Sequence, residues 1–92
     1  MNTTYLEGSI PNEVLSGALS YRVSRTDGTW GVNVRRGRYH FATRMSGGKV
    51  YTVYIGVAGQ INNQDVTEAL YQLRGKLHRQ NKGLILYGQR KI

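Results

Sequence analysis

The sequence predicts an α+β fold in which an antiparallel β-meander of three to four strands packs on one C-terminal α-helix. Between residues 19 and 55, apolar and polar side chains alternate, which is the pattern of half-buried strands. Turn-forming residues interrupt this alternation at Asp27-Gly28, Arg36-Gly37 and Ser46-Gly47-Gly48, so we expect the strands to be joined as hairpins. After residue 63 the apolar side chains recur at helical spacing instead.

The alternation also predicts which side chains lie in the core. A run from Leu19 precedes three clearer runs around Trp30, Tyr39 and Val53. One helix covers only one face of a sheet, so the bulkiest apolar side chains are expected beneath it. This predicted core face consists of Trp30, Val32, Val34, Tyr39, Phe41, Val53 and Ile55. The side chains between them are expected on the opposite face, which no second helix covers.

The C-terminal helix is predicted to follow a linker over residues 57–63, with Asn62 or Asn63 as its N-cap. Its apolar stripe consists of Val66, Ala69, Leu70, Leu73 and Leu77. Gly75 interrupts this stripe at a cost of roughly 1 kcal/mol relative to Ala. Lys82-Gly83 is predicted to end the helix.

The chain of 92 residues suits one small domain. We expect an N-terminal arm over residues 1–17, either loose or forming a short edge element. A sheet-plus-helix domain over residues 18–82 and a basic tail over residues 83–92 are expected to follow. An apolar run in this tail is a candidate homodimer contact or added edge strand: Leu84, Ile85, Leu86 and Tyr87. The first residues match neither a signal peptide nor a transmembrane segment, and the chain has no cysteine, so we expect a cytoplasmic location.

The charge is strongly positive and unevenly distributed. Thirteen Lys and Arg residues against five Asp and Glu give a net charge of +8, and no acidic residue occurs between Gly28 and Gln64. Such an excess in a short chain favours a polyanionic partner: DNA, RNA or an anionic membrane surface. The simpler alternative is a basic protein without a specific polyanion. The predicted helix has its bases near one end and no aromatic belt, which argues against a membrane partner.

The sequence offers no catalytic or metal-binding constellation. His40 and His78 are far apart and have no Cys or acidic residue at ligand spacing. The five scattered carboxylates do not suggest an acid–base pair. Gly48-Lys49 lacks the rest of a phosphate-binding loop, since Thr43 occupies the position of its first Gly. We therefore predict no enzyme, no metal site and no cofactor.

The uncovered face of the predicted sheet carries groups that recognise double-stranded DNA. The major groove admits a narrow β-ribbon, in which Arg pairs bidentately with guanine and Asn with adenine. Thr, Tyr and Lys side chains hold phosphates. The candidate DNA-binding residues are Asn33, Arg35, Arg36, Arg38, His40, Arg44, Lys49, Thr52 and Tyr54. The competing interpretation is an ordinary solvated sheet face, although such a face normally mixes both signs of charge.

The stretch "GTWGVNVRRGRYHFATRMSGGKVYTVYIG", followed by a capped amphipathic helix, resembles the arm-type DNA-binding domains of tyrosine-recombinase integrases and the related AP2-like domains. The resemblance covers about residues 28–80. The matching features are the aromatic-led strand at Trp30, the turn at residues 47–49 and the strand closing with Tyr54-Ile55-Gly56. The chain departs from the pattern in lacking an acidic turn after Gly56 and in having a strand before Trp30.

The resemblance implies a three-stranded antiparallel sheet on one helix, with the free face of the sheet in the major groove. It therefore implies a double-stranded DNA-binding protein, of the kind found in mobile elements, phages or plasmids. Trp30 is expected to anchor the core rather than to contact DNA.

Two other classes of function remain open. One is binding of RNA or single-stranded nucleic acid, in which Tyr54 or an exposed Tyr21 stacks on bases. The other is a protein-interaction module whose basic face meets an acidic partner.

Overall fold

The computed structural model describes the backbone of residues 3–90 and the side chains of residues 3–78. The elements are β1 (Thr4–Leu6), α1 (Asn12–Leu15), β2 (Tyr21–Arg25), β3 (Gly28–Arg35), β4 (Tyr39–Ser46), β5 (Lys49–Val57) and α2 (Asn63–Arg90). This arrangement confirms the α+β class. Among the described helices, none is long and apolar enough to cross a membrane.

The strands form one five-stranded sheet in the order β1-β2-β3-β4-β5. Strands β2 to β5 are joined in sequence by antiparallel pairing, as the alternation predicts. Strand β1 adds to the other side of β2 and runs parallel to it, with Tyr5 beside Val23. The sheet is therefore mixed and has five strands, whereas the sequence predicts an antiparallel meander of three to four.

The N-terminal segment is fastened to the rest of the domain. Ile10 and Leu15 are both buried in the core. The Ile10 amide donates to Oδ1 of Asn63 at 2.8 Å, and Nδ2 of Asn63 donates to the Ile10 carbonyl at 3.0 Å. Because one side chain satisfies both backbone groups of Ile10, the segment forms the edge element and not the loose arm.

Two of the three predicted turns lie at the predicted residues, and the third lies one residue earlier. Arg36 and Gly37 have positive φ angles of 53° and 70° between β3 and β4. Gly47 and Gly48 follow, with φ angles of 59° and 80°, between β4 and β5. In the first hairpin Arg25 pairs with Gly28, so the turn consists of residues 26–27, one residue earlier than predicted.

Helix α2 begins as the sequence predicts. The Asp65 amide donates to Oδ1 of Asn62 at 2.9 Å, and the Asn62 amide donates to Oδ2 of Asp65 at 2.9 Å. This reciprocal pair is a capping arrangement that satisfies otherwise unbonded amides at the helix start. The predicted stripe packs on the sheet: Val66, Ala69, Leu70 and Leu73 are buried, and Leu77 is partly buried.

The predicted end of α2 at Lys82-Gly83 is wrong, because the helical backbone continues to Arg90. A single Gly costs a helix only about 1 kcal/mol, and no Pro follows to stop it. The segment over residues 84–87 is therefore not an added strand. Its predicted role as a homodimer contact, through Leu84, Ile85, Leu86 and Tyr87, lies outside the residues whose side chains are described.

The faces of β4 are opposite to those predicted. His40 and Ala42 are fully buried on the side of α2, while Tyr39 and Phe41 lie on the other face. The register sets this orientation, since Ala42 pairs with buried Val32 and Phe41 pairs with exposed Asn33. Helix α2 packs against β4, so a small side chain at position 42 permits its close approach.

Candidate nucleic-acid interface

We call the sheet face opposite α2 the open face. Side chains of directly paired residues lie on the same face, so the strand register defines it. Its members are Thr4, Leu6, Arg22, Ser24, Thr29, Gly31, Asn33, Arg35, Tyr39, Phe41, Thr43, Met45, Val50, Thr52, Tyr54 and Val57. Four of the predicted site residues belong to it: Asn33, Arg35, Thr52 and Tyr54.

Positive charge borders the open face on several sides. Arg22 on β2 and Arg35 on β3 project from it and are exposed. Arg36 and Arg38 are exposed in the turn after β3. Lys49 is exposed at the start of β5, at the opposite end of the sheet, where its pairing with Ser46 directs its side chain to the side of α2. The predicted DNA contacts of Arg36 and Arg38 stay predictions, and Lys49 lies at the rim of the open face and not on it.

All five acidic residues lie within the described part of the chain, and none of them belongs to the open face. Oε2 of Glu7 lies 3.2 Å from Nε of Arg25. Asp27 lies 3.4 Å from Nε of Arg25 and 3.6 Å from Nε of Arg74. The remaining acids are Glu13 in α1 and the α2 residues Asp65 and Glu68. The open face thus carries only one sign of charge.

The open face also holds a cluster of aromatic rings that sequence reasoning missed. The guanidinium carbon of Arg35 lies 4.5 Å from the centre of the Phe41 ring. The Phe41 and Tyr54 rings lie 5.1 Å apart at an angle of 52°. The size of Phe41 predicts a place in the core, so Phe41 was not among the predicted stacking residues, which were Tyr54 and Tyr21. The pairing of Phe41 with Asn33 across the sheet is what brings these groups together.

A second arginine–aromatic contact lies beside the turn after β3. The guanidinium carbon of Arg38 is 4.9 Å from the centre of the Tyr39 ring, and its Nη2 donates to the Tyr39 hydroxyl at 2.8 Å. The contact holds the Arg38 side chain along the end of the open face. Tyr39, like Phe41, was predicted to lie in the core.

The predicted role of His40 as a DNA contact is wrong, because its side chain is buried on the side of α2. Its Nε2 lies 3.1 Å from the Gly17 carbonyl, and its Nδ1 lies 3.1 Å from the Tyr21 hydroxyl. A carbonyl only accepts, so Nε2 carries the hydrogen and Nδ1 accepts one from Tyr21. Tyr21 is itself buried, so it offers no ring for base stacking.

The environments of these two side chains change their pKa values. Burial lowers the pKa of His40, and the Gly17 carbonyl opposes this shift by accepting a hydrogen bond. Burial raises the pKa of the Tyr21 phenol. Both groups are therefore neutral near pH 7, as their hydrogen bond requires.

Arg44 also lies on the side of α2, which contradicts its prediction as a groove-facing residue. Its guanidinium carbon lies 4.1 Å from the centre of the Trp30 ring. Trp30 is buried, as expected of a core anchor, and its Nε1 donates to Oδ1 of Asp27 at 3.0 Å. Arg44 therefore covers the edge of the core instead of extending the open face.

Asp27 connects this part of the core edge to α2. Burial acts to raise the pKa of Asp27. The hydrogen bond from Trp30 and the charges of Arg25 and Arg74 outweigh burial, so the pKa is lowered. Asp27 is consequently ionised at neutral pH and neutralises positive charge on the side of α2.

No family model, no curated protein and no solved structure matches the chain. The interpretation of the open face therefore depends on its own geometry and chemistry. Its features are a single sign of charge, amide and hydroxyl groups on neighbouring strands, and an aromatic cluster bordered by arginines.

Proposed function

We propose that this protein binds double-stranded DNA and that the open face of strands β3 to β5 lies against the major groove. The observation that carries the proposal is the segregation of charge. The open face and the two ends of β4 carry five cations, Arg22, Arg35, Arg36, Arg38 and Lys49, whereas no acidic residue belongs to the open face. A surface of this kind attracts the phosphates of a duplex.

The width of the sheet limits how many of its strands fit in the major groove. Neighbouring strands lie about 4.8 Å apart, so the outer axes of three strands are roughly 10 Å apart. The major groove is about 12 Å wide and accommodates that width, but not the roughly 19 Å spanned by five strands. Strands β1 and β2 therefore lie at the rim, where Arg22 contacts the phosphate backbone.

The residues on the open face divide into two roles. Asn33 and Arg35 are two residues apart on β3 and point in the same direction, so they are placed to contact base edges. Arg36 and Arg38 lie at one end of the sheet and Lys49 lies at the other, where they contact phosphates. Thr52 and Tyr54 supply hydroxyl groups from β5.

One observation favours a second candidate, the binding of single-stranded nucleic acid. Tyr54 is 51% exposed and packs beside Phe41, next to the Arg35 guanidinium. Aromatic side chains and arginines together stack on unpaired bases, at about 1–3 kcal/mol for each stacked base. This candidate uses the same face, but it depends on the rings more than on Asn33.

A salt titration of binding tests the proposal and separates the two candidates. The ligands are a random-sequence DNA duplex, one of its strands and a duplex RNA of equal length. We expect the DNA duplex to bind most tightly, with a log–log salt slope of about −4 for the four phosphate contacts of Arg22, Arg36, Arg38 and Lys49. Tightest binding to the single strand, with a large loss on Tyr54→Ala, would replace the proposal with the second candidate. No binding to any of the three ligands at moderate salt would refute both.

A further inference from the structure

Strand β5 forms one side of the sheet within the described part of the chain, since β4 is its only neighbour there. It is nine residues long and contains one charged residue, Lys49. Edge strands of stable proteins are usually short, charged or covered, because an exposed edge pairs with other chains. The β5 edge is neither short nor rich in charged residues.

The hairpin fixes which backbone groups of β5 point outward. Ser46 and Lys49 pair directly across the two-residue turn, and hydrogen-bonded pairs alternate from there along the antiparallel ladder. By this alternation, the N–H and C=O groups of Val50, Thr52 and Tyr54 point away from β4. The Nζ atom of Lys76 donates to the Thr52 carbonyl at 3.0 Å, which agrees with that direction.

A groove of about 670 Å³ runs between this edge and helix α2. The residues of the groove that matter here are Thr52, Tyr54, Tyr71, Gln72, Gly75 and Lys76. Tyr71, which is 68% exposed, lies on the α2 side of the groove. Tyr54, which is 51% exposed, belongs to the strand that borders the groove, and its ring lies beside Phe41 on the open face. A strand added at this edge has side chains on both faces, so it can contact both tyrosines. Gly75 leaves space beside the helix at the point where the sequence interrupts its apolar stripe.

We propose that the β5 edge binds an extended, acidic segment of a partner protein, which adds to the sheet as a sixth strand. Such a strand pairs with the outward backbone groups of Thr52 and its neighbours, while its side chains contact the two tyrosines. The Lys76 ammonium then pairs with a carboxylate of the incoming strand. The site does not depend on the nucleic-acid proposal.

Charge decides between an acidic partner and a second copy of this chain. Arg74 and His78 line a second hollow directly beside the groove, and Lys76 lines the groove itself. Asp27 offsets the charge of Arg74 at 3.6 Å, and Glu68 lies about two turns before Lys76 on α2. Lys76 is therefore the cation of the groove that pairs with an incoming carboxylate. A second copy brings another net charge of +8 and a second Lys76 to the same place, whereas an acidic strand supplies the opposite charge.

The test uses three fluorescent peptides of about nine residues, the length of β5. The first alternates glutamate with valine, the second replaces the glutamates with lysines, and the third is the first with alternate backbone amides methylated. We expect the full-length protein to bind the first peptide. Binding of the methylated peptide should be at least tenfold weaker, because methylation removes donors for strand pairing. The lysine peptide should not bind.

Two variants locate the binding on the β5 edge. Thr52→Pro removes an outward amide without removing a bond to β4, and Lys76→Met removes the ammonium. Each is expected to weaken binding of the acidic peptide by about tenfold, the size of one hydrogen bond. Arg44→Gln removes one charge at a position that packs on Trp30 and does not line the groove, so it is the control and should leave peptide binding unchanged. Should Thr52→Pro fail to fold, Lys76→Met and the methylated peptide make the same test.

Equal binding of the methylated and unmethylated peptides would overturn the proposal, since it would indicate simple adsorption to a basic surface. A concentration-dependent dimer that Thr52→Pro abolishes, without binding of the acidic peptide, would also overturn it. In that case the edge would be an interface between copies of the chain. The absence of any peptide binding would have the same consequence.

Discussion

The Tyr21 hydroxyl donates a hydrogen bond to Nδ1 of His40 at 3.1 Å, and both side chains are buried in the core. Tyr21 belongs to β2 and His40 to β4, so the bond spans the strand between them. Nε2, the other ring nitrogen of His40, donates a hydrogen bond to the Gly17 carbonyl at 3.1 Å. A protonated imidazole has no acceptor site for Tyr21, so this arrangement requires neutral His40.

The neutral form of His40 predicts an acid-sensitive fold. Burial lowers the pKa of His40 in the folded protein, so below pH 6.5, the usual His value, the unfolded chain binds more protons than the folded one. The free energy of unfolding is therefore expected to fall as the pH decreases from 7 towards 5. Urea titrations monitored by the fluorescence of Trp30, the only tryptophan, measure this change.

Two variants test whether His40 causes this pH dependence of stability. His40→Gln should lower the stability at pH 7 by about 1–3 kcal/mol, because it disturbs buried hydrogen bonds, and it should flatten the pH profile. His78→Gln, at an exposed position, should keep the profile of the unchanged protein. An unaltered slope between pH 7 and 5 in His40→Gln would show that His40 is not responsible.

Arg44→Ala is predicted to affect stability more than nucleic-acid binding. The guanidinium of Arg44 packs on Trp30 on the side of α2, and such a contact contributes about 0.5–1 kcal/mol at a partly exposed site. Thermal unfolding should therefore occur at a lower temperature, while duplex binding stays close to that of the unchanged protein. A loss of duplex binding as large as that of Arg35→Ala, in a folded variant, would contradict the position of Arg44.

Asn63→Ala is predicted to release the N-terminal segment. The Asn63 amide makes both hydrogen bonds to the backbone of Ile10, so its removal should cost about 1–3 kcal/mol. Hydrogen exchange at the Ile10 amide should accelerate. Asn62→Ala, which removes the helix cap at a cost of about 1 kcal/mol, is the matched control and should affect the start of α2 instead. Equal exchange at Ile10 in both variants would disprove this role of Asn63.

The local alternation of side chains predicts the correct faces of those strands in which the larger side chains are also the buried ones. In β3, Trp30 and Val32 are buried and Asn33 and Arg35 are exposed, as the alternation predicts. The helix stripe and the asparagine cap follow equally from short-range spacing. The sequence therefore predicted the face on which Asn33 and Arg35 lie in β3, and the face on which Thr52 and Tyr54 lie in β5.

In β4, size and burial disagree, and the same reasoning chose the wrong face. Phe41 is larger than Ala42, yet Ala42 lies beneath α2 and Phe41 on the open face. His40 is buried with two hydrogen-bond partners, Tyr21 and Gly17, which lie 19 and 23 residues earlier in the chain. No local pattern reports such partners, so both His40 and the aromatic cluster were missed.

The N-terminal strand was hard to predict for a related reason. Strand β1 has only three residues and pairs in parallel with β2. Its position depends on the bonds between Ile10 and Asn63, which are 53 residues apart in sequence. Such a contact becomes visible only when the fold brings α2 beside the N-terminal segment.

The central claim is that the open face binds double-stranded DNA, and a charge-matched pair of variants tests it most directly. Arg35→Gln removes one charge from the open face, and Arg74→Gln removes one charge from the side of α2, where Arg74 lies near Asp27. Duplex binding is measured for both variants over a range of salt concentrations.

We expect Arg35→Gln to weaken duplex binding by about 1–3 kcal/mol, the cost of losing a contact to a base edge. Arg74→Gln should change the affinity by no more than about twofold, as for an exposed ion pair distant from the interface. Equal weakening by the two variants would contradict the claim, because binding would then follow the net charge and not the open face.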